Sequence, residues 1–343
     1  MNKKVITFGE IMLRLATPGY KRFSQTDIFT STFGGGEVNV SVSLANYGIP
    51  TAYITRLPDN DIGKSCKETL NECGVDTSHI VFGGERMGIY YLETGAVARG
   101  SKVVYDRAHS AFTSMKKGMI DWEEIFQDAS WFHWTGITPA ISSGATEVLE
   151  EALEKANEMG ITVSCDVNYR SKLWKEGNKV EEVMPRLIAK TNVLIGNEFD
   201  AEKVLGVQSN LPPKVESSKF TFGLVAKQLM QKYPRLKKVI TTRRGTISAN
   251  HNTWVGILFD GKQVLESATY QMTHIVDRVG GGDALMAGLI YGFINWPNDD
   301  QITIDFAVAA SFLKHTISGD ANDVSVEEVK ELMKGNTTGK IDW

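Results

Sequence analysis

The chain has 343 residues, 42% of them hydrophobic and 23% charged, which suits a globular protein with a substantial core. Its net charge of −4 gives no electrostatic reason to expect nucleic acid as a partner. Three cysteines (Cys66, Cys73, Cys165) without a CxxC pair argue against a disulfide framework or a zinc site. No apolar run is long enough for a leader or a membrane span, so the expected address is the cytoplasm.

In chain order, residues 5–8 read as a buried strand ending at Gly9, and 10–33 as extended pieces without helical period. Phe33-Gly34-Gly35-Gly36-Glu37-Val38-Asn39 then enters a helix with Val38, Val42 and Ala45 on its apolar face, stopped by Gly48. A short strand at 52–54 precedes a helix at 61–73, which carries Cys66 and Cys73 on its packed side. Residues 86–107 change character: two β-rich runs, 87–93 and 102–107, are joined by a Gly/Ala segment with hairpin signals. With the extended residues 14–32 they predict a small sheet standing off the main body, a lid.

From residue 112 the alternation of strand and helix is regular. Strands are expected at 131–135, 161–167, 193–196 and 238–242, and helices at 144–159, 181–190, 304–315 and 326–334. Residues 211–218 read as a polar surface loop, and 249–260 with 263–267 as a hairpin around Gly261. Such alternation predicts a parallel sheet covered on both faces, with ligands at the carboxyl ends of its strands. Asn168, Asn197, Asp277 and Asp283 all follow predicted strands and are expected to converge on one edge.

The stretch Asp277-Arg-Val-Gly-Gly-Gly-Asp283 is the most informative. Three glycines feed an apolar segment in which Ala284, Ala287, Gly288 and Tyr291 keep helical spacing. The unpaired N–H groups and the positive dipole end of such a helix suit phosphate oxygens. Asp283 would repel a resting phosphate, so its simplest use is to take a proton from a hydroxyl attacking phosphorus. The alternative is a tight strand-to-helix turn with Asp283 as N-cap. Two other phosphate signatures fail on spacing. The Walker glycine before Gly63-Lys64-Ser65 falls at Pro58, and the dinucleotide fingerprint begun at Gly34-x-Gly36 meets Asn39.

Asp277-x-x-Gly280-x-Gly282-Asp283 resembles the second signature of the ribokinase-like (PfkB) carbohydrate kinases, usually Asp-Thr-x-Gly-Ala-Gly-Asp. Arg278 stands here for the Thr and Gly281 for the Ala. The resemblance covers nearly the whole chain. It implies one domain over 1–343: a three-layer αβα sandwich of the ribokinase-like α/β class, with residues 14–32 and 86–107 as its β lid. It implies ATP and Mg2+, with Gly280, Gly281 and Gly282 as the anion hole and Asp283 as general base. Gly34, Gly35, Gly36 and Asn39 would lie against the sugar, and Asp320 would reach a substrate hydroxyl. Asn168, Asn197, Thr242 and Gly245 would face the nucleotide, with Arg243 or Arg244 toward phosphate. The family's Asn-x-x-Glu metal motif reads Asn197-Glu-Phe-Asp200 here, leaving the shorter Asp200 to act through a bridging water.

The likeness is closest to the members that phosphorylate 2-keto-3-deoxygluconate. Gly88-Ile-Tyr90, Tyr105-Asp-Arg107 and Asn168-Tyr-Arg170 match their acid-sugar pocket in order and spacing. Guanidinium forks pair with a carboxylate, and tyrosine hydroxyls fix chain hydroxyls. A kinase of a neutral, fructose-like sugar and a catalytically silent sugar sensor are the alternatives. The exposed lid faces imply a homodimer.

Overall fold

The computed structural model describes residues 4–174, 179–207 and 218–336; the expected loop at 211–217 lies outside them. Short apolar runs form the central strands. In Lys4–Phe8, Val5 faces one side of the sheet while Ile6 and Phe8 face the other, all fully buried. A strand buried on both faces needs cover on both, and here the helices supply it.

The main sheet has nine strands. Its spatial order runs Val264–Glu266, His251–Phe259, Lys238–Ser248, Val193–Ile195, Thr162–Asp166, Ala129–Thr135, Lys4–Phe8, Thr51–Ile54, with Tyr270–Met272 also on His251–Phe259. Pairings from Lys238–Ser248 through Thr51–Ile54 are parallel, and those made by His251–Phe259 are antiparallel. One face packs on the helices Ser143–Glu158, Val180–Ile188 and Lys219–Lys232, through Phe8, Phe132, Trp134 and Val239. The other packs on Gly36–Asn46, Gly281–Asn295, Asp300–Lys314 and Val326–Met333, through Val5, Trp131, Ile195 and Ile240. This is a three-layer αβα sandwich.

A second sheet joins Thr30–Gly34, Met12–Ala16, Gly88–Glu93 and Lys102–Asp106 in that order. Its outer strand, Lys102–Asp106, is exposed along its whole length. Its strands fall in and around the stretches 14–32 and 86–107. Among the described residues, no helix is long and apolar enough to cross a membrane.

The helix Gly281–Asn295 is held unusually close to Asp300–Lys314. A Cβ on Gly288 would come within 2.6 Å of the Ala307 Cα, and one on Gly292 within 2.9 Å of the Thr303 Cα. Two glycines one turn apart thus let the backbones approach and anchor the helix that carries Asp283. Elsewhere the structure corrects three expectations. Asp283 is not an N-cap: Gly280 holds that position and Asp283 is the third helical residue. The strand expected at 238–242 runs to Ser248, because His251–Phe259 pairs along it and carries it through Gly245 without a loop. The helix Lys219–Lys232 has no counterpart among the expected elements, although Phe222, Val225, Ala226 and Leu229 keep a helical period.

Candidate active site

The two glycine turns meet. Gly34–Gly36 ends a lid strand and starts one helix, and Gly280–Gly282 starts another. Asn39, in the first helix, donates from Nδ2 to Asp283 Oδ2 at 2.7 Å. A Cβ on Gly36 would lie 3.7 Å from Asp283 Oδ1, so the first turn forms the wall beside this carboxylate. Asp283 keeps an opening to the cleft, yet burial pushes its pKa up to about 8. Asn39 opposes that rise, while Asp166, Asp320 and Glu37 add to it.

The second turn requires glycine for two different reasons. Gly280 lies at φ +84, and a side chain there would also run into the Asp320 carbonyl. A Cβ on Gly281 would come within 2.5 Å of the His315 ring. Gly282 is open: a Cβ there would have Asp166 Oδ2 as its nearest neighbour, at 3.9 Å. Gly281, Gly282 and Asp283 are the first three helical residues, whose N–H groups have no intrahelical acceptor. Gly282 lines a cavity of about 300 Å³ together with Asp166, Asn168, Arg170, Asn197, Asp200 and Thr242. Asn168 sits at φ +39, a left-handed conformation that asparagine tolerates better than most side chains.

This cavity brings Asn168, Asn197, Thr242 and Gly282 together, and Arg170 and Asp200 with them. Asp200 closes a capping box with Asn197: its Oδ2 accepts the Asn197 N–H at 3.1 Å, and Asn197 Oδ1 accepts the Asp200 N–H at 2.9 Å. It is buried, and that burial raises its pKa. Asp166, absent from the residues singled out above, faces the same cavity. Burial and the nearby Asp200 charge push it up to about 7, while Arg170 pulls it down. A strand's final acid on the ligand-bearing edge is the signal that could have found it.

A second cluster lies where the lid meets the body. Tyr90 donates its hydroxyl to Asp320, and Arg14 bridges Asp320 and Asp277, all four buried. Gly34 lies against Asp320, with no room for a side chain. The Tyr105 ring is half-exposed, 6.1 Å from Tyr90 and 5.8 Å from the Arg107 guanidinium. Arg107 donates from Nε to Glu10 Oε2 at 2.8 Å, and from Nη2 to the same oxygen. A cavity of about 480 Å³ opens beside this cluster, lined by Arg14, Thr17, Thr32, Asn250, His274 and Asp277. Arg14 and Glu10 escaped the sequence reading, since their partners lie about a hundred to three hundred residues away along the chain.

The geometry therefore offers a buried polar cluster at the second sheet, a cavity beside Gly282, and Asp283 with its glycine turn near both. A family model described as pfkB family carbohydrate kinase matches residues 2–326. A 2-dehydro-3-deoxygalactonokinase of Haloferax volcanii is 30% identical over 339 residues, covering 99% of each chain. The crystal structure of a 2-dehydro-3-deoxygluconokinase from Thermotoga maritima is similar with TM-score 0.91 at 45% identity, over 97% of this chain and 100% of that one. A fructokinase of Xylella fastidiosa with bound ATP shares the fold at 20% identity and TM-score 0.78, over 98% and 100% of the two chains.

Proposed function

The chain belongs to the PfkB family of carbohydrate kinases, and on that footing we propose that it transfers the γ-phosphoryl group of ATP to the terminal hydroxyl of 2-keto-3-deoxygluconate. The observation that carries this reading is Asp283, half-open at the glycine turn and oriented by Asn39. As the hydroxyl oxygen bonds to phosphorus, Asp283 takes its proton, and the bond to the β-phosphate oxygen breaks with its electron pair leaving on ADP. The N–H groups at Gly281 and Gly282 lie where charge grows on the transferring phosphate, with Gly280 setting the turn. Asn168, Asn197, Thr242 and Gly245 take the nucleotide side; Gly34, Gly35, Gly36, Asn39, Tyr90, Tyr105, Arg107 and Asp320 take the sugar. The lid sheet excludes water, which would otherwise accept the phosphoryl group.

Magnesium fits the donor set on the anion side. Asp166 and Asp200 are two hard-oxygen carboxylates on one cavity, and the Asp200 charge raises the proton affinity of Asp166, a repulsion that a divalent cation relieves. Among the described residues no cluster of three or more ligating side chains could cage a metal. Asp166, and Asp200 through a bridging water, would hold the ion beside the nucleotide's phosphates. When bound, the ion neutralises phosphate charge.

The acid acceptor is supported by two of the three named relatives, whose names specify a 2-dehydro-3-deoxy sugar acid. On this chain, Arg107 leaves Nη1 free of hydrogen bonds among the described residues, beside Tyr105. Arg170 would approach the same carboxylate from the other cavity. A neutral-sugar acceptor is the second reading, favoured because Glu10 already neutralises Arg107. ADP release with 2-keto-3-deoxygluconate, its epimers and fructose decides between them. A higher kcat/KM for fructose would overturn the acid assignment, and no turnover with any acceptor would overturn the kinase reading. The exposed strand carrying Val103, Val104 and Tyr105 supports a lid-to-lid homodimer; sedimentation showing an active monomer at every working concentration would remove it.

A further inference from the structure

The last turn of the helix Asp300–Lys314 lies directly behind the glycine turn. Gly288 rests against Ala307 and Gly292 against Thr303, so this helix runs antiparallel to Gly281–Asn295 and ends where that one begins. Ser311, Lys314 and His315 keep helical spacing and turn one face toward Gly280 and Gly281. Ser311 Oγ donates to the Gly281 carbonyl at 2.7 Å, and the His315 ring fills the space against Gly281. Lys314 passes behind Gly280: a Cβ on that glycine would lie 3.2 Å from the Lys314 Cε. Lys314 is fully buried, a rare place for an ammonium. It donates to the Ile317 carbonyl at 3.1 Å and, among the described residues, makes no other hydrogen bond and no ion pair. One neutral acceptor is a small return for burying a charge.

The surroundings give that charge a use. Antiparallel packing sets the negative end of one helix beside the positive end of the other, so the carbonyls closing Asp300–Lys314 oppose the field that Gly281–Asn295 offers to phosphate. Two carboxylates oppose it as well. Asp277 Oδ1 accepts the Val279 N–H at 3.1 Å, just before the turn, and the Asp320 carbonyl abuts Gly280. Arg14 bridges both acids but carries one charge against their two. His315 adds none: burial pushes its pKa down to about 4, although its Nδ1 donates to the Ser311 carbonyl at 2.7 Å. Burial lowers the pKa of Lys314 too, while Asp277, Asp320 and Asp283 oppose that fall and favour the charged form. We propose that Lys314 is a positioning residue for phosphoryl transfer, its ammonium fixed behind Gly280 to cancel the negative helix end and keep the N–H groups of Gly281 and Gly282 in a positive field. The role rests on the phosphotransfer reading above and is exerted through the backbone of the turn. The competing account is structural, with Lys314 only fastening Ile317 to the helix end.

The test compares Lys314→Ala and Lys314→Met with wild type in steady-state kinetics and thermal melting. Each is measured with ammonium chloride and with tetramethylammonium chloride at equal ionic strength. Lys314→Ala opens space for an ammonium ion beside the Ile317 carbonyl, whereas Lys314→Met fills that space without a charge. Both should lose about ten- to a hundredfold in kcat, with the sugar KM held. Ammonium should restore kcat to Lys314→Ala in a saturable way and leave Lys314→Met and wild type unchanged; tetramethylammonium, too large for the space, should restore neither. A Lys314→Met protein with wild-type kcat would overturn the proposal. So would ammonium that raises the melting temperature of Lys314→Ala without recovering kcat, or that recovers neither. Variants that stay unfolded with and without ammonium would assign Lys314 to the fold alone. In each of these cases wild-type turnover leaves the kinase reading standing, and a wild type with no ATP-dependent phosphorylation would take both down together.

Discussion

Gly34-Gly35-Gly36-Glu37 and Gly280-Gly281-Gly282-Asp283 are nearly the same phrase, three glycines and an acid opening a helix, yet their acids do different things. The first helix begins at Gly36, so Glu37 is its second residue; the other begins at Gly281, so Asp283 is its third. One position is a rotation of about 100° on a helix. Glu37 turns inward, where its Oε1 accepts from the Thr135 N–H at 3.1 Å, the Thr135 hydroxyl at 2.7 Å and the Thr138 hydroxyl at 2.5 Å. Asp283 turns to the cleft with Asn39 as its donor. Both acids have raised pKa values through burial, so burial alone does not separate them. The number of donors and access to ligand do: one acid ties strand to helix, the other stays free to take a proton.

The sharpest way to break this contrast is to neutralise each acid. Asp283→Asn should lower kcat by about 10²–10⁴-fold while ATP and sugar still bind. Glu37→Ala should leave three buried donors without an acceptor and cost about 1–3 kcal/mol of stability, with Glu37→Gln retaining most of it. Stability should move the other way at Asp283. Its folded pKa of about 8 exceeds the ordinary value of 3.8, so the folded state binds more protons between those limits and loses stability as pH rises through them. Asp283→Asn escapes that loss, so its melting temperature should exceed wild type at neutral pH by a margin that widens from pH 4 to 8. A thermal-melt series in which Asp283→Asn is the less stable protein would place Asp283 with Glu37 among the structural acids. The same titration sets the rate: wild-type kcat/KM should climb with pH and level off above about 8, a slope absent from the Asn variant.

The glycines themselves divide in the same way. Gly280→Ala meets both a left-handed φ and the Asp320 carbonyl, and should cost at least about 1–2 kcal/mol of stability as well as turnover. Gly282→Ala has open space and should fold as wild type, with its effect confined to kcat and to the KM for ATP. Equal melting temperatures for the two variants would mean that the turn relaxes around Gly280.

Much of this was legible in one dimension. The alternation of apolar runs and helical periods identified a parallel sheet with two covered faces, and glycine before a helix marked both turns. What stayed hidden has physical reasons. Which residue of a glycine run starts the helix depends on φ at Gly35 and Gly280, which glycine leaves unconstrained in the sequence. Arg14 reads as one polar position in a lid strand, because Asp277 and Asp320, which make it a buried bridge, lie 263 and 306 residues away. The continuation of Lys238–Ser248 through Gly245 depends on a partner strand, not on local preference.

The smallest expected effects concern the acid of the substrate, and they divide the molecule between lid and body. Arg107 sits on the lid with Tyr90 and Tyr105 near it, whereas Arg170 opens into the cavity of Gly282, Asn168 and Asn197. A charge-assisted hydrogen bond contributes roughly 1.5–3 kcal/mol, or about one to two decades in affinity. If both arginines hold the carboxylate, Arg107→Lys and Arg170→Lys should each raise KM for 2-keto-3-deoxygluconate and spare fructose, because the planar fork is lost while the charge stays. The carboxylate is remote from the reacting hydroxyl, so the loss should fall on KM more than on kcat. Measuring kcat/KM for both acceptors and KM for ATP separates the possible roles. A rise in KM for ATP in Arg170→Lys, with the acid unaffected, would assign Arg170 to the phosphates beside which it lies. The lid cluster alone would then read the carboxylate. Equal losses on acid and neutral sugar in Arg107→Lys would mean that Arg107 serves only its pairing with Glu10, and a neutral acceptor would become the better reading.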